Sequence, residues 1–145
     1  FVFTGPEDDG FRQHQIHSLK NAYFTGQKKV DELPAYITAY DVCINPQMVN
    51  DITDGNYPLK IDEYLAMGKP TVATSTHTMR HIFADHTHLA TNPEEWLSAI
   101  DRAVTEADDK ELAKQRIAFA ETHSWGHSVK KIYGIIDNFL KEKAT

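Results

Sequence analysis

The sequence predicts an α/β fold: a parallel sheet wrapped by helices, followed by a helical C-terminal part. Three observations carry this expectation. Short apolar runs, most of them closed by Gly, Pro or Asn, recur at Phe1–Thr4, Ala22–Thr25, Val42–Asn45, Thr71–Thr74 and His88–Ala90. Segments with helical apolar spacing separate most of them. Beyond Asn92 the pattern is helical throughout. Alternation of this kind builds parallel sheets through right-handed crossovers.

The 145 residues amount to one domain with a sizeable core, and no repeat, low-complexity tract or internal linker divides them. Apolar residues make up 41% and charged residues 25%, ordinary values for a soluble globular chain. A net charge of −6 without a long basic block argues against nucleic acid as a partner. The one cysteine, Cys43, excludes an internal disulfide and fits a reducing compartment, so a cytoplasmic location is expected. No apolar run approaches the roughly 20 residues of a membrane span, and no signal peptide is visible. The chain starts without methionine inside a strand-like Phe1-Val2-Phe3. It is therefore expected to be a piece of a longer protein.

Gly5-Pro6 closes the first strand, and Glu7-Asp8-Asp9-Gly10 reads as a solvated loop. Phe11 to Leu19 is expected to be a helix with Phe11, Gln15, Ile16 and Leu19 inward. Asp31 is placed to cap a helix through Tyr40, with Leu33, Tyr36, Ile37 and Tyr40 on its core side. After the third strand comes a polar loop, Gln47 to Asn56. Its two Asn, two Asp and one Gly leave too little apolar surface to anchor it, so mobility is expected. His81-Ile82-Phe83 suggests a helical turn. Asn92-Pro93-Glu94-Glu95 combines a cap, a first-turn proline and first-turn acids. The helix it opens should bury Trp96, Leu97, Ile100, Ala103, Val104 and Ala107. A second helix should run from about Asp109 to Glu121. A third, from Ser124 or His127, should bury Val129, Ile132, Tyr133, Ile136, Phe139 and Leu140. Trp96 and Trp125 read as anchors for these helices.

The most informative stretch is Tyr57 to Thr74, YPLKIDEYLAMGKPTVAT. Pro58 suits a first helical turn, and Ile61, Tyr64, Leu65 and Met67 fall near one face. Gly68 sits where a left-handed C-terminal residue is wanted. Lys60 is out of place, because a cation near a helix N-terminus loses roughly 0.3–1 kcal/mol unless an anion sits there. A helix N-terminus with a lysine suits a phosphate. Glu63, three residues on, shares a face with Lys60 and could accept ribose hydroxyls. The bland alternative is a surface i,i+3 pair worth about 0.2–0.5 kcal/mol. Ligands of open parallel sheets bind outside the strands' C-terminal ends. Four segments converge there: Gly5-Pro6-Glu7, Gly26-Gln27-Lys28, the Gln47–Asn56 loop leading into Pro58-Leu59-Lys60, and Thr74-Ser75-Thr76-His77.

The Tyr57–Thr74 stretch resembles the donor-binding signature of the GT-B "group 1" (family 4-like) glycosyltransferases, roughly P-x-(K/V)-x-x-E-(A/Y)-L-A-x-G-K-P-V-V-A-T. Phe24-Thr25-Gly26-Gln27 is similar to the family's F-x-G turn, Glu32-Leu33-Pro34-Ala35-Tyr36 to its E-L-P-x-x-Y helix, Ala39-Tyr40-Asp41-Val42 to its A-D-V strand entry, and Ser124-Trp125 to its late S-W. The resemblance spans nearly the whole chain. It implies half of a GT-B fold: a Rossmann-like domain that binds a UDP- or GDP-sugar for transfer of a hexosyl unit to an acceptor hydroxyl, as in polysaccharide biosynthesis.

Several residue roles are implied by that resemblance. Glu63 would bind the ribose, Lys60 the diphosphate, and Gln27 would meet the base through its backbone. Pro58 and Leu59 would complete the helix entry, and Ser75 and Thr76 would face the phosphates. Many members carry a second glutamate eight residues before Glu63, where this chain has Gly55; Asp54 beside it is the substitute for sugar contact. No cofactor or metal is implied. The absent N-terminal domain would supply the acceptor site and any base, so this piece alone should bind donor without turnover, and it contains no assigned catalytic residue. Two alternatives remain open: a non-catalytic Rossmann-like interaction module, favoured by Gly55, and a GT-B epimerase or phosphorylase.

Other features carry less. His77 and His81 lie four apart and His86-Thr87-His88 follows Asp85, but no Cys or Glu completes a zinc spacing, so these read as loop histidines. Cys43 within an apolar strand reads as a small core residue. Lys130-Lys131 and Lys141 to Lys143 would face solvent and offer weak evidence for peripheral membrane contact by the full-length enzyme.

Overall fold

A computed structural model describes residues 1–143 of the chain. Backbone contacts divide it into two compact units, Phe1–Tyr36 and Ile37 onward. The class is α/β with parallel sheets flanked by helices, as the alternation predicts. Among the described residues there are two sheets in place of one, of two and three strands.

In the first unit β1 (Val2–Thr4) pairs in parallel with β2 (Tyr23–Gly26), with Phe3 opposite Phe24. The helix expected over Phe11–Leu19 is broken. A single turn, α1 (Asp9–Arg12), is capped by Asp8, whose Oδ1 accepts from the Phe11 N–H at 2.7 Å. His14 is extended, and a 3₁₀ turn follows at Gln15–Ser18. The break has a packing reason. Six positions apart on one straight helix, Phe11 and His17 would point about 120° apart. Here both reach Phe24, at 6.0 and 3.9 Å between ring centroids, and His17 Nε2 lies 3.1 Å from Glu7. Leu19, expected inward, is exposed. Helix α2 (Leu33–Ala39), which begins in this unit and ends in the next, is preceded by a 3₁₀ turn, Val30–Glu32, closed by Glu32, which accepts from the Lys29 N–H at 2.9 Å; Asp31 is not its cap.

In the second unit β3 (Cys43–Asn45), β4 (Thr71–Thr74) and β5 (His88–Ala90) form a parallel sheet in the order β3-β4-β5. Every residue of β4 is buried, and its side chains alternate between two faces. Val72 points to α4 (Pro93–Thr105), meeting Ala99 and Ala103 with Ile44, Trp96 and Ile100 around them. Ala73 points the other way, to Ile61 and Leu65 of α3 (Leu59–Ala66), Ala120 of α5 (Lys110–Thr122), Met79 and Phe83. Ile61, Leu65 and Phe83 have no exposed surface, worth about 1.5–3 kcal/mol each relative to exposure. Cys43 is buried, and desolvation pushes its thiol up to about 11.

Helix α3 begins one residue later than the proline suggested: Pro58 is its cap residue, and its carbonyl accepts from the Ile61 N–H at 2.9 Å. Gly68 ends it with φ +72°, in the left-handed region as expected. Asn92 caps α4 through Oδ1 to the Glu95 N–H at 2.9 Å. Two expected core residues of α4 are corrected. Leu97 and Val104 are 68% and 54% exposed, while the small Ala99 and Ala103 are buried against the sheet. Helix α5 follows its Asp109 cap. Helix α6 (Trp125–Lys143) departs furthest from expectation. Val129, Ile132, Tyr133, Ile136, Phe139 and Leu140 are all exposed, and Trp125, expected as an anchor, is 87% exposed. Among the described residues no helix is long and apolar enough to cross a membrane.

Candidate functional site

In a parallel sheet the loops leaving each strand gather at one edge, and in the second unit hydrogen bonds join them there. Thr74 Oγ1, ending β4, accepts from the Gln47 N–H at 2.8 Å, in the loop leaving β3. The Ser75 N–H donates to the Ala90 carbonyl, at the end of β5, at 3.0 Å. Arg80 reaches back to the Ser75 carbonyl at 2.6 Å.

The loop from Gln47 to Asn56 is not short of anchors, contrary to its composition. Asn50 Oδ1 accepts from the Ile52 and Thr53 N–H groups at 3.0 and 2.9 Å, while Thr53 Oγ1 accepts from the Asn50 N–H at 2.9 Å. Asp54 then ties the loop to the next one: its Oδ1 accepts from the His77 N–H at 2.6 Å, and its carbonyl from the Thr78 N–H at 3.3 Å. Val49, Asn50, Asp51, Asp54, Gly55 and His77 line a hollow of about 560 Å³. A Cβ at Gly55 would meet nothing within 4 Å.

The residues singled out in the sequence occupy different settings. Leu59 and Lys60 are the first two residues of α3 and both are exposed. Pro58 offers no side-chain cap, so neither leading N–H is covered by one. Glu63 lies one turn on, also exposed. Among the described residues no ion pair joins Lys60 to Glu63, so the bland surface pair does not form. Asp54 lies in the hollow, where the His77 N–H already engages one carboxylate oxygen. Ser75 is half-buried. Thr76 is 2% exposed and its hydroxyl accepts from the Met79 N–H at 3.3 Å, which commits its side chain to the turn behind the loop. Gln27 belongs to the first unit, where it is exposed just after Gly26, whose φ is +69°.

His77, in a segment the sequence already places at the strand ends, lines the hollow; its ring packs 4.2 Å from that of His81, and no three His, Cys, Asp or Glu side chains among the described residues gather as metal ligands. Two features escaped the sequence reading. Arg80 braces the Ser75 carbonyl, which nothing in local spacing announces. Tyr57 Oη donates to Asp62 Oδ2 at 2.5 Å, and Asp62 Oδ1 lies 2.8 Å from His123 Nδ1. Desolvation first, and then that bond to Asp62, push the Tyr57 phenol well above its ordinary range. His123 is 61 positions from Asp62, so only the folded chain unites them.

Comparison with known proteins gives two matches. The family model described as "Glycosyl transferases group 1" matches residues 1–106. A protein of Bacillus subtilis (strain 168), TuaH, named as a teichuronic acid biosynthesis glycosyltransferase, is 27% identical over 139 residues. That alignment takes in 91% of this chain and 34% of the relative, so the chain spans about a third of the relative's length.

Proposed function

The chain belongs to the group 1 glycosyltransferases, and from that premise we propose that it is the donor-binding part of an enzyme that moves a sugar from a nucleoside diphosphate to an acceptor hydroxyl. One observation carries the reading. Lys60 and Glu63 stand exposed and unpaired with each other on an α3 whose leading N–H groups no side chain caps, at the edge where the strand-end loops gather. A lysine beside a helix N-terminus neutralises charge that builds on a departing diphosphate. Glu63, one turn away, accepts from ribose hydroxyls. Asp54, Asp51 and the Ser75–Thr78 loop face the sugar and its phosphates. UDP and GDP are the nucleotides to test.

The remaining length of the relative corresponds, in this proposal, to a domain supplying the acceptor site and any general base. The uncovered apolar face of α6 is a surface for that domain to cover. The chain alone then binds donor and turns nothing over. Polysaccharide assembly is the process suggested by the name of the relative.

The test is an amide-shift titration with UDP and with GDP. Shifts are expected at Lys60, Glu63 and residues 75–78, and Glu63→Gln should weaken binding while leaving the thermal midpoint in place. No shift at about 1 mM nucleotide, in a folded sample, would favour a non-catalytic interaction module, the reading to which Gly55 lends support.

A further inference from the structure

The joint by which the chain enters α3 is held by residues on its far side. Tyr57 is the last residue before Pro58. Its Oη donates to Asp62 Oδ2 at 2.5 Å, and the other oxygen of Asp62 lies 2.8 Å from His123 Nδ1. Both oxygens of the carboxylate are thus engaged. His123 closes α5, its N–H on the Ala120 carbonyl at 3.0 Å. Its ring stands edge-on to Phe119, Phe83 and Tyr57, at 4.5, 5.7 and 6.4 Å between centroids. The Tyr57 ring in turn rests on the fully buried Phe83 at 5.5 Å. The Asp62 and His123 side chains are only 18% and 23% exposed, a setting in which charge-assisted hydrogen bonds gain strength.

The arrangement also bears on the helix end. A carboxylate in the first turn of a helix ordinarily interacts with that helix's own N-terminal charge. Asp62 is instead drawn aside to Tyr57 and His123. We propose that Tyr57, Asp62 and His123 form a positioning relay that fixes the Pro58 joint and keeps the Asp62 carboxylate off the α3 N-terminus, leaving it open to an anionic diphosphate. None of the three is a catalytic residue. The ligand part of the proposal rests on the nucleotide-binding reading above; the positioning part does not.

The two parts are separated by measuring amide exchange in the ligand-free chain and nucleotide affinity on the same samples. Tyr57→Phe keeps the ring and removes the donor; Asp62→Asn keeps the shape and removes the charge. Each should speed exchange at Ile61 and move the amide signals of Leu59 and Lys60. Tyr57→Phe, which frees the carboxylate to turn to the helix end, should also weaken UDP or GDP binding about fivefold, the worth of one net hydrogen bond; Asp62→Asn removes the competing carboxylate and should weaken it less. The double variant should weaken it no further than the worse single, because one relay is lost either way. Asp62→Glu should recover part of the effect. Variants that lower the thermal midpoint yet leave Leu59–Ile61 amides and affinity unchanged would overturn the proposal, as would additive losses. Should the parent chain bind neither nucleotide, the donor reading falls and the ligand part with it. Exchange at Ile61 then decides the positioning part alone.

Discussion

Gly68 offers the sharpest test of the packing described above. It stands at φ +72°, where an L side chain costs about 1–2 kcal/mol. A Cβ added there would also meet the Ala113 Cβ at 3.1 Å and the Ala113 carbonyl oxygen at 3.4 Å. Neither neighbour is a flexible side-chain end, so α3 and α5 must part slightly, an overpacking cost of about 1 kcal/mol. Alanine's smaller unfolded-state entropy returns roughly 0.4–1 kcal/mol. Gly68→Ala should therefore destabilise by about 2 kcal/mol. Urea unfolding followed by the fluorescence of Trp96, which packs against the Val72–Ala99–Ala103 cluster, reads this as a lower midpoint at unchanged slope. In an Ala113→Gly background the 3.1 Å Cβ contact is gone, leaving the backbone cost and an ordinary contact with the carbonyl oxygen, so Gly68→Ala should there cost about 1 kcal/mol less. Equal costs in both backgrounds would refute the close approach of α3 and α5. A cost below about 0.5 kcal/mol would refute the left-handed assignment as well.

Two further perturbations probe the charges. Glu106 pairs with Arg116, whose side chain is 6% exposed, and its other oxygen lies 3.0 Å from His88 Nε2. Burial draws the Arg116 pKa down while Glu106 opposes it. Glu106→Gln strands the guanidinium and should cost about 3 kcal/mol in urea unfolding, whereas Glu106→Leu combined with Arg116→Met should recover most of that loss. A near-neutral Glu106→Gln would show that water already serves Arg116. Glu95 accepts from Thr91 Oγ1 at 2.6 Å and the Thr91 N–H at 2.7 Å, and these bonds hold its carboxyl below the ordinary 4.5. Since the folded pKa is the lower one, its contribution is present above pH 4.5 and fades as pH falls through the folded value. The thermal midpoints of the parent and Glu95→Gln should therefore converge on acidification; a constant gap would contradict the assignment.

What was legible in the sequence is what local chemistry decides. The Asn92 cap with Pro93 after it, the left-handed Gly68 and the buried Val72-Ala73 pair follow from rules acting within a few residues. The errors share a cause, which is that they depend on the distant surface each element meets. Periodicity favours large side chains, so Leu97 and Val104 read as core. A helix lying close on a sheet instead buries Ala99 and Ala103. The α6 pattern is amphipathic as read, but nothing described in the chain covers its apolar face. Phe11 and His17 lie on one apparent helix until a shared partner, Phe24, breaks it between them.

The Gln47–Asn56 loop carries this argument into the site. Its composition offers few of the apolar side chains that usually anchor a loop, which on its own predicts mobility. Yet Asn, Thr and Asp are also the residues that satisfy their own backbone, and Asn50, Thr53 and Asp54 do so here. A loop already knitted in this way offers a ligand preformed polar groups, and little of the binding energy is spent on ordering it. One Asp54 oxygen already holds the His77 N–H, which leaves the other as the freer acceptor. Gly55 beside it leaves open space where many relatives in the resembled family place a carboxylate. The hollow is thus hydrogen-bonded on its Asp54–His77 side and open on its Gly55 side. Under the donor-binding proposal, the side chain at position 55 is the natural lever on sugar affinity.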